Sequence, residues 1–318
     1  MFMENWDVII VGAGSAGLAA GIYAVRSGLK TLMIDEKLAG GNIVDSPRVE
    51  NYPGFAEISG RDLSEKMVAH CKSLGAVIHE LEPVEDLKSK GDVKIVTTSN
   101  ATYQAKVVVF ATGAYHKILG VKGEKEFYGR GVSYCGVCDG PFFKGKNVVV
   151  IGGGNSACVT SLYLSGLASQ VTIIHRRSVF RAEHKLVLDA TSKHNINVLW
   201  NTVVEEIKGD RQVRILTLKN NVTCEKTEFN TDAVFVQVGE VPNSAVAKAS
   251  GIETDEAGYI KINIKQETNL SGFYAAGDVT THPIKQVGTA VGQGITAALE
   301  AYNYINNLHT KTINSLKR

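Results

Sequence analysis

The sequence lacks a strong charge of either sign and any long hydrophobic run. Its 318 residues carry 34 lysines and arginines against 32 aspartates and glutamates, a formal charge of +2. Such a small excess gives no reason to expect a nucleic acid as a partner. The longest apolar runs, such as residues 107–111 and 148–151, have the length of a strand and are too short to span a bilayer. We therefore expect binding to neither nucleic acid nor membrane.

Cysteine is also scarce, with five residues, of which only Cys135 and Cys138 lie close together. This spacing does not indicate a disulfide scaffold. Residues 1–6 have neither a basic nor an apolar segment, so we expect no secretory signal and a cytoplasmic protein. In a reducing compartment a close cysteine pair is catalytic, redox-sensing or metal-binding. A zinc site would need a second pair, so we expect no metal.

The length allows two domains, and the N-terminal part carries a dinucleotide-binding pattern. An apolar run at residues 8–11 is typical of a parallel strand buried on both faces. The sequence GAGSAG and an alanine-rich helical stretch follow it. Gly12 permits the tight turn, Gly14 lets the backbone approach a pyrophosphate, and Gly17 allows close packing of helix and strand. A second predicted strand ends at Asp35, an acid placed to accept hydrogen bonds from a ribose.

The same pattern begins again at residues 147–151, followed by GGGNSA, in which alanine takes the place of the third glycine. Where the first copy has its acid, the second has His175, followed by Arg176, Arg177 and Arg181. The loss of the acid and the added arginines suit a 2′-phosphate, which guanidinium groups bind bidentately. The first site thus predicts free ribose hydroxyls and the second predicts NADPH. The alternative for the arginines is a solvated basic face.

Two later segments are consistent with a flavin site. Residues 107–113 predict a buried strand ending in a small turn, and residues 273–278 predict another strand ending at an acid placed for a ribityl hydroxyl. A long helix is predicted over residues 288–308, and its N-terminus would stabilise negative charge on a reduced flavin. An ordinary core strand would show much the same pattern as either segment.

Together these motifs resemble the low-molecular-weight thioredoxin reductases of bacteria and archaea, which are NADPH-dependent FAD proteins. The matching segments follow the family's order and cover nearly the whole chain: GAGSAG, VENYPGF, ATG, CGVCDG, GGGNSA, HRRSVFRAE, VGEVPN and AAGD. The resemblance implies an α/β fold with two Rossmann-like dinucleotide-binding domains, the NADPH domain being inserted into the FAD domain. The FAD domain would comprise residues 1–116 and 246–318, and the NADPH domain residues 117–245.

The resemblance also implies two sets of cofactor-binding residues and a homodimer. The FAD set comprises Gly12, Gly14, Ser15, Ala16, Gly17, Asp35, Glu36, Gly41, Asn42, Asn51, the backbone of Val84, Gly113, Asp278, Lys285, Gln286 and Val287. The NADPH set comprises Gly152, Gly154, Asn155, Ser156, His175, Arg176, Arg177 and Arg181. The chain departs from the family at two of these positions. Ser15 replaces a common proline, and Lys285 stands where many members carry arginine, so a planar guanidinium contact is lost there.

A direction of electron flow follows from the resemblance. NADPH would reduce FAD, and the reduced flavin would open a disulfide between Cys135 and Cys138. Cys138 would face the flavin, and Cys135 would attack the disulfide of a thioredoxin. Asp139 would protonate a departing thiolate and later deprotonate a thiol, unless it is only a turn or helix-cap acid. Phe142 and Phe143 would either dock the thioredoxin or lie in the core.

Other functions fit parts of the same pattern. A flavoprotein of this fold could use ferredoxin in place of NADPH. It could also reduce a glutaredoxin-like protein, a peroxiredoxin partner or a small dithiol in place of thioredoxin. The arginines argue against the loss of NADPH, whereas nothing in the sequence names the acceptor. A redox sensor without turnover is the alternative from another class, and the acid joined directly to the CxxC pair argues against it.

Overall fold

The chain forms two compact units. The computed structural model describes residues 4–46 and 49–316, so the first three residues of the N-terminal segment considered above lie outside the described residues. One unit is built from the chain up to Tyr115 and from Val241 onward, and the other from His116 to Glu240. The second unit is thus an insertion in the first along the chain. The predicted α/β class with two Rossmann-like domains, one inserted into the other, is confirmed.

Within the described residues, parallel and antiparallel strands form four sheets. The strands are β1 (Glu4–Val11), β2 (Thr31–Ile34), β3 (Val77–His79), β4 (Val84–Lys90), β5 (Val93–Thr98), β6 (Thr102–Phe110), β7 (Ala114–His116), β8 (Val132–Ser133), β9 (Asn147–Gly152), β10 (Gln170–Ile174), β11 (Ile196–Leu199), β12 (Thr202–Gly209), β13 (Val213–Asn220), β14 (Lys226–Asn230), β15 (Ala233–Gln237), β16 (Glu240–Pro242) and β17 (Phe273–Ala275).

The helices vary widely in length. They are α1 (Ser15–Arg26), α2 (Gly60–Ser73), α3 (Gly136–Asp139), α4 (Asn155–Ser165), α5 (His184–Thr191), α6 (Ala245–Ala249) and α7 (Val287–Leu316), with short 3-10 helices at Asn42–Asp45 and Gly140–Phe143. The helix predicted over residues 288–308 therefore begins one residue earlier and continues to Leu316. None of the described helices is long and apolar enough to cross a membrane.

The first unit is organised around one mixed sheet with the order β3-β2-β1-β6-β5-β4, to which β17 adds by pairing with β6. Strands β1, β2, β3, β6 and β17 run parallel, and β4, β5 and β6 form an antiparallel meander. In this register Val11 lies opposite Phe110, so β1 and β6 end at the same edge of the sheet. Ligands of open α/β sheets bind at this carboxyl edge.

The second unit repeats the arrangement on a smaller scale. Its parallel sheet has the order β11-β10-β9-β15-β8, and an antiparallel sheet β12-β13-β14 completes the unit. Ile151 at the end of β9 lies opposite Val236 of β15. The central strands β9, β10 and β15 are almost fully buried, which explains their unbroken apolar sequences. Where the chain passes between the units, β7 and β16 pair as a two-stranded sheet.

One charged side chain lies unexpectedly deep in the first unit. Lys94 on β5 is 2% exposed. Its ammonium group makes two long hydrogen bonds, 3.3 Å to the Ser89 hydroxyl and 3.4 Å to the Gly91 carbonyl, and lies 5.1 Å from the ring centre of Phe273. The charge of Asp92 also acts on this group. Burial lowers the pKa of Lys94 from its usual 10.5. The folded state therefore binds this proton less tightly than the unfolded chain.

We predict that Lys94→Met stabilises the protein by about 1 kcal/mol, or roughly 2 °C in Tm, because it removes a poorly compensated buried charge. The measurement is thermal unfolding of the wild type and the variant. Since the unfolded lysine binds its proton more tightly, the contribution of Lys94 to stability should rise with pH as its usual pKa is approached. This rise should be absent in the variant. Lys90→Met, an exposed lysine on β4, is the control, and an equal gain there would contradict the explanation.

Candidate functional site

The two glycine turns have the same close backbone contact. A Cβ atom on Gly12 would lie 2.3 Å from the carbonyl oxygen of Ala111, and one on Gly152 would lie 2.3 Å from that of Gln237. The φ angles are +104° at Gly12 and +156° at Gly152, a range that side chains rarely tolerate. The glycine turn after β1 therefore lies directly against the end of β6, and the glycine turn after β9 lies directly against the end of β15.

The helix that follows each turn begins without a side-chain cap. Gly14 is the N-cap residue of α1 and Gly154 that of α4, and neither helix has a capping side chain. The unpaired N–H groups and the positive end of the helix dipole are thus free for a phosphate. Nothing lies within 4 Å of the position that a Cβ on Gly154 would take. This geometry fits the pyrophosphate of a dinucleotide at both turns.

A second glycine-containing segment borders the first turn. Gly41 has a φ of +72°, and a Cβ atom on it would lie 2.7 Å from the Cα of Gly14. The backbone at Gly41 therefore packs directly against the backbone of Gly14 in the glycine turn. Next to Gly41, the side-chain amide of Asn42 donates a hydrogen bond of 2.7 Å to the Ala114 carbonyl. The predicted FAD residues Gly14, Gly41 and Asn42 are thus brought together.

Asp35 makes contacts that its spacing did not predict. Its carboxylate accepts hydrogen bonds from the backbone of Ala13 at 2.6 Å and of Lys37 at 2.8 Å. Burial raises the pKa of Asp35, and these two hydrogen bonds oppose the rise. Asp35 therefore holds the glycine turn in place, and its role toward a ribose stays a prediction. The adjacent Glu36 is exposed.

The remaining predicted flavin residues fall into two groups. The side-chain amide of Asn51 donates to the side-chain carbonyl of Gln286 at 3.1 Å, so these two are neighbours. The ammonium group of Lys285 donates instead to the carbonyls of Asp278 at 3.1 Å and Thr280 at 2.6 Å. Lys285 thus stabilises the turn that carries Asp278. Val84, Gly113 and Val287 are half-buried, as are Ser15, Asp278 and Gln286, while Ala16 is buried.

Gln293 on α7 is a site residue that the sequence reasoning missed. Its buried side-chain carbonyl accepts from the backbone of Gly277 at 2.9 Å and from the hydroxyl of Thr280 at 3.1 Å. These bonds fix the turn after β17, where Asp278 lies. The signal that could have found Gln293 is a polar residue on the apolar face of an otherwise amphipathic helix.

His175 lies beneath the second glycine turn. A Cβ atom on Gly153 would lie 2.1 Å from the imidazole ring, so the ring fills the space that a side chain would take. The Nε2 atom is 2.9 Å from the Val179 carbonyl. Burial is the main cause that lowers the pKa of His175, and Arg177 contributes to the lowering. The imidazole is therefore neutral and serves as packing for the turn.

The predicted phosphate-binding arginines surround the same turn. Arg176, Arg177 and Arg181 are all exposed, and all three lower the pKa of His175 through their charge. The backbone of Arg181 donates to the Gly153 carbonyl at 2.7 Å. Asn155 and Glu183 exchange hydrogen bonds of 2.9 and 2.8 Å, which ties the loop after β10 to the start of α4. Ser156 is exposed beside Asn155.

The cysteine pair forms a disulfide at the start of a short helix. Cys135 and Cys138 are bonded, with their Cα atoms 5.3 Å apart. Cys135 is the N-cap residue of α3, and its sulfur accepts from the backbone of Cys138 at 3.2 Å. A Cβ atom on Gly136 would lie 2.6 Å from the Thr160 side chain, so α3 packs tightly on α4. Both cysteines are half-buried.

Asp139 directly follows this disulfide. Burial raises the pKa of its carboxyl group, and a hydrogen bond from the Ser133 hydroxyl partly opposes the rise. A partly desolvated carboxyl beside sulfur can hold or release a proton near neutral pH more easily than an exposed one. Ser133 was not singled out from the sequence, because serine two residues before a cysteine has no distinctive spacing.

The two phenylalanines after the disulfide differ in environment. Phe143 is half-buried, and its ring packs edge-on against Phe235 of the core at 5.9 Å between centroids. Phe142 is 37% exposed. Of the two alternatives left open by the sequence, core packing describes Phe143, and Phe142 alone has the exposure that docking would need.

The other cysteines and the histidines form no second site within the described residues. Cys71 and Cys158 are buried, and burial raises the pKa of both, that of Cys71 to about 11. Cys224 is exposed. Among the side chains that the structure describes, no three from histidine, cysteine, aspartate or glutamate come together to hold a metal ion.

Comparison with known proteins gives a consistent result over the whole chain. The model of the pyridine nucleotide-disulphide oxidoreductase family matches residues 6–294. The chain is 44% identical over 313 residues to the thioredoxin reductase of Bacillus subtilis, a match that covers 98% of each chain. A crystal structure of thioredoxin reductase from Streptococcus pyogenes has 37% identity and a TM-score of 0.92, covering 96% of this chain and 100% of that one.

Another similar structure carries ferredoxin in its name. The ferredoxin-flavin thioredoxin reductase from Clostridium acetobutylicum is 33% identical, with a TM-score of 0.52. The match covers 97% of this chain and 100% of that one.

We predict that Gly41→Ala lowers the FAD content of the purified protein, because the added Cβ would collide with the Gly14 backbone. The ratio of flavin absorbance to protein gives the result. Gly28→Ala is the matched control, since Gly28 has a similar φ of +80° but nothing within 4 Å of its Cβ position. Each substitution should cost about 1 kcal/mol in backbone strain. Equal FAD content in the two variants would show that the close approach does not matter.

Proposed function

Since the chain belongs to the thioredoxin reductases among the pyridine nucleotide-disulphide oxidoreductases, we propose that it reduces a thioredoxin disulfide with electrons from NADPH. The observation that carries the proposal is the Cys135–Cys138 disulfide next to the half-buried acid Asp139, in a chain with two uncapped glycine turns. A nucleotide-binding sensor would need neither the accessible disulfide nor the acid.

We assign FAD to the unit that runs up to Tyr115 and from Val241 onward, and NADPH to the inserted unit from His116 to Glu240. The bounds expected from the resemblance, 1–116, 117–245 and 246–318, differ from these by at most five residues. The close approach of Gly41 to Gly14 and the anchored turn at Asp278 support the first assignment. The arginine cluster around the second turn supports the second. FAD, when bound, supplies the two-electron chemistry that links NADPH to the disulfide.

The chain's own residues then carry the thiol chemistry. Once the disulfide is reduced, the thiolate of Cys135 attacks the thioredoxin disulfide, and Cys138 resolves the mixed disulfide. Asp139 takes up and returns a proton at sulfur, for which its raised pKa suits it. The 37% exposed Phe142, four residues after Cys138 in the chain, offers a thioredoxin an apolar contact. We also propose a homodimer and a cytoplasmic location, as the resemblance to the family implies.

The test is steady-state turnover of the purified protein with each donor and acceptor in turn. We expect NADPH to bleach the flavin and to support reduction of a thioredoxin. The Cys135→Ser and Cys138→Ser variants should still bleach but should lose turnover, whereas Cys224→Ser should behave as the wild type. Turnover with reduced ferredoxin but not with NADPH would favour the function named for the Clostridium acetobutylicum relative. Turnover with only a glutaredoxin-like protein or a peroxiredoxin partner would show that this protein, and not thioredoxin, is the acceptor.

We predict that Arg177→Ala raises the KM for NADPH about tenfold, the effect of losing one charge-assisted hydrogen bond, and leaves the KM for NADH unchanged. The physical reason is that the 2′-phosphate is the group that NADPH has and NADH lacks. Steady-state kinetics with both nucleotides gives the result. Arg211→Ala, an exposed arginine in the turn before β13 of the same unit, serves as control. A parallel rise for both nucleotides would refute the role of Arg177 in recognising the phosphate.

A further inference from the structure

Ser133 on β8 places a buried hydroxyl between the exchange cysteine and the acid. The residue is 2% exposed. Its Oγ atom accepts a hydrogen bond of 3.0 Å from the backbone of Cys135 and lies 3.2 Å from the Cys135 carbonyl, to which it can donate. The same hydroxyl hydrogen-bonds to the side chain of Asp139. One side chain therefore contacts both residues that exchange a proton in the proposed reaction.

The number of protons available to this hydroxyl restricts its bonding. A serine hydroxyl donates one hydrogen bond and accepts two. The Cys135 N–H occupies one acceptor position, which leaves one donor and one acceptor position for the Cys135 carbonyl and Asp139. When Asp139 is ionised, the hydroxyl donates to the carboxylate. The Cys135 carbonyl then keeps its other hydrogen bond, 3.1 Å from the backbone of Asp139.

The opposite arrangement holds when Asp139 carries a proton. The carboxylic acid then donates to the free acceptor position of the Ser133 hydroxyl, which turns to donate to the Cys135 carbonyl. In each protonation state the Ser133 hydroxyl keeps a partner for its donor position, and the change needs only the rotation of that hydroxyl. An alanine at this position would leave the half-buried carboxylate without this partner, a costly state.

We propose that Ser133 is a positioning residue that allows Asp139 to gain and lose its proton during thiol–disulfide exchange without leaving a buried polar group unpaired. The proposal rests on the proposed function, since it assigns a role within that same reaction. A positioning role of Ser133 differs from a purely structural one because the loss of its hydroxyl should change the proton transfer and not only the stability.

The reaction is thiol–disulfide exchange between the reduced enzyme and the thioredoxin disulfide. The Asp139 carboxylate takes the proton of the Cys135 thiol, and the Cys135 sulfur attacks the thioredoxin disulfide, so that a mixed disulfide forms and one thioredoxin thiolate leaves with the proton from Asp139. The Cys138 sulfur then attacks Cys135, which restores the enzyme disulfide and releases the second thioredoxin thiolate. The proton of Cys138 passes through solvent to that thiolate. Two electrons have moved from the enzyme dithiol to thioredoxin.

Other titratable groups lie near Asp139, and their titration must be distinguished from that of its carboxyl group. The two cysteines lie on the same short helix, and Tyr163 of α4 packs against Gly140. Tyr134, between Ser133 and Cys135, donates its hydroxyl to the buried Glu124 at 2.8 Å. Only a variant of Asp139 itself can therefore show which limb of a pH profile belongs to this carboxyl group.

The experiment is a single turnover of the holoenzyme. The protein is reduced with one equivalent of NADPH and mixed with thioredoxin disulfide over a range of pH. We expect an acid limb that Asp139→Asn abolishes. In Ser133→Ala this limb should move to higher pH, and the rate above it should fall about twofold to tenfold, the effect of one lost hydrogen bond. Ser133→Thr, which keeps the hydroxyl, should restore the position of the limb.

The controls separate this effect from general damage. Ser161→Ala removes a fully buried serine of α4 whose hydroxyl donates only to the Ala157 carbonyl, and its pH profile should match the wild type. Adding Ser133→Ala to Asp139→Asn should change nothing further. If Ser133→Ala does not retain FAD, Ser133→Gly takes its place. An unshifted limb in the Ser133 variant would overturn the inference, whereas a wild type without thioredoxin reduction would overturn the proposed function.

Discussion

The structure depends on one contact that occurs twice: a glycine turn resting directly on the backbone of a neighbouring strand. At Gly12 and at Gly152 a Cβ atom would lie 2.3 Å from a carbonyl oxygen, of Ala111 in one unit and of Gln237 in the other. In the first unit this contact brings the end of β1, the start of α1 and the end of β6 together at the carboxyl edge of the sheet. In the second unit it does the same for the end of β9, the start of α4 and the end of β15. Ligands of open α/β sheets bind at this edge, and we propose that the nucleotides bind there.

Burial determines the chemistry around these turns. Asp35 and Asp139 are both carboxyl groups whose pKa burial raises, yet they differ in what opposes the rise. Asp35 accepts two backbone hydrogen bonds that keep it in a fixed, structural role. Asp139 has a serine hydroxyl that can turn, beside sulfur atoms that change their protonation during exchange. The same residue type therefore holds a turn at one site and, as we propose, moves a proton at the other.

The sequence predicts well what depends on neighbouring residues along the chain. Unbroken apolar runs followed by glycines predicted the strands and turns of both units, because a doubly buried strand leaves no position for polar residues. Contacts between distant residues were not predictable. His175 fills the space beside Gly153, 22 residues earlier, because of where the chain folds back. Gln293 was missed for the same reason, since Gly277 and Thr280 become its neighbours only in the fold. Ser133 was missed although its partners are close along the chain, because a serine two residues before a cysteine has no distinctive spacing.

We propose that the flavin and the Cys135–Cys138 disulfide act as two two-electron centres in series. Anaerobic titration of the holoenzyme with NADPH, followed by flavin absorbance and by thiol counting, is the decisive measurement. We expect each chain to take up electrons from two molecules of NADPH and to gain two thiols, and Cys135→Ser to take up electrons from only one. A wild type whose flavin is fully reduced by one molecule of NADPH, with no new thiols, would contradict it.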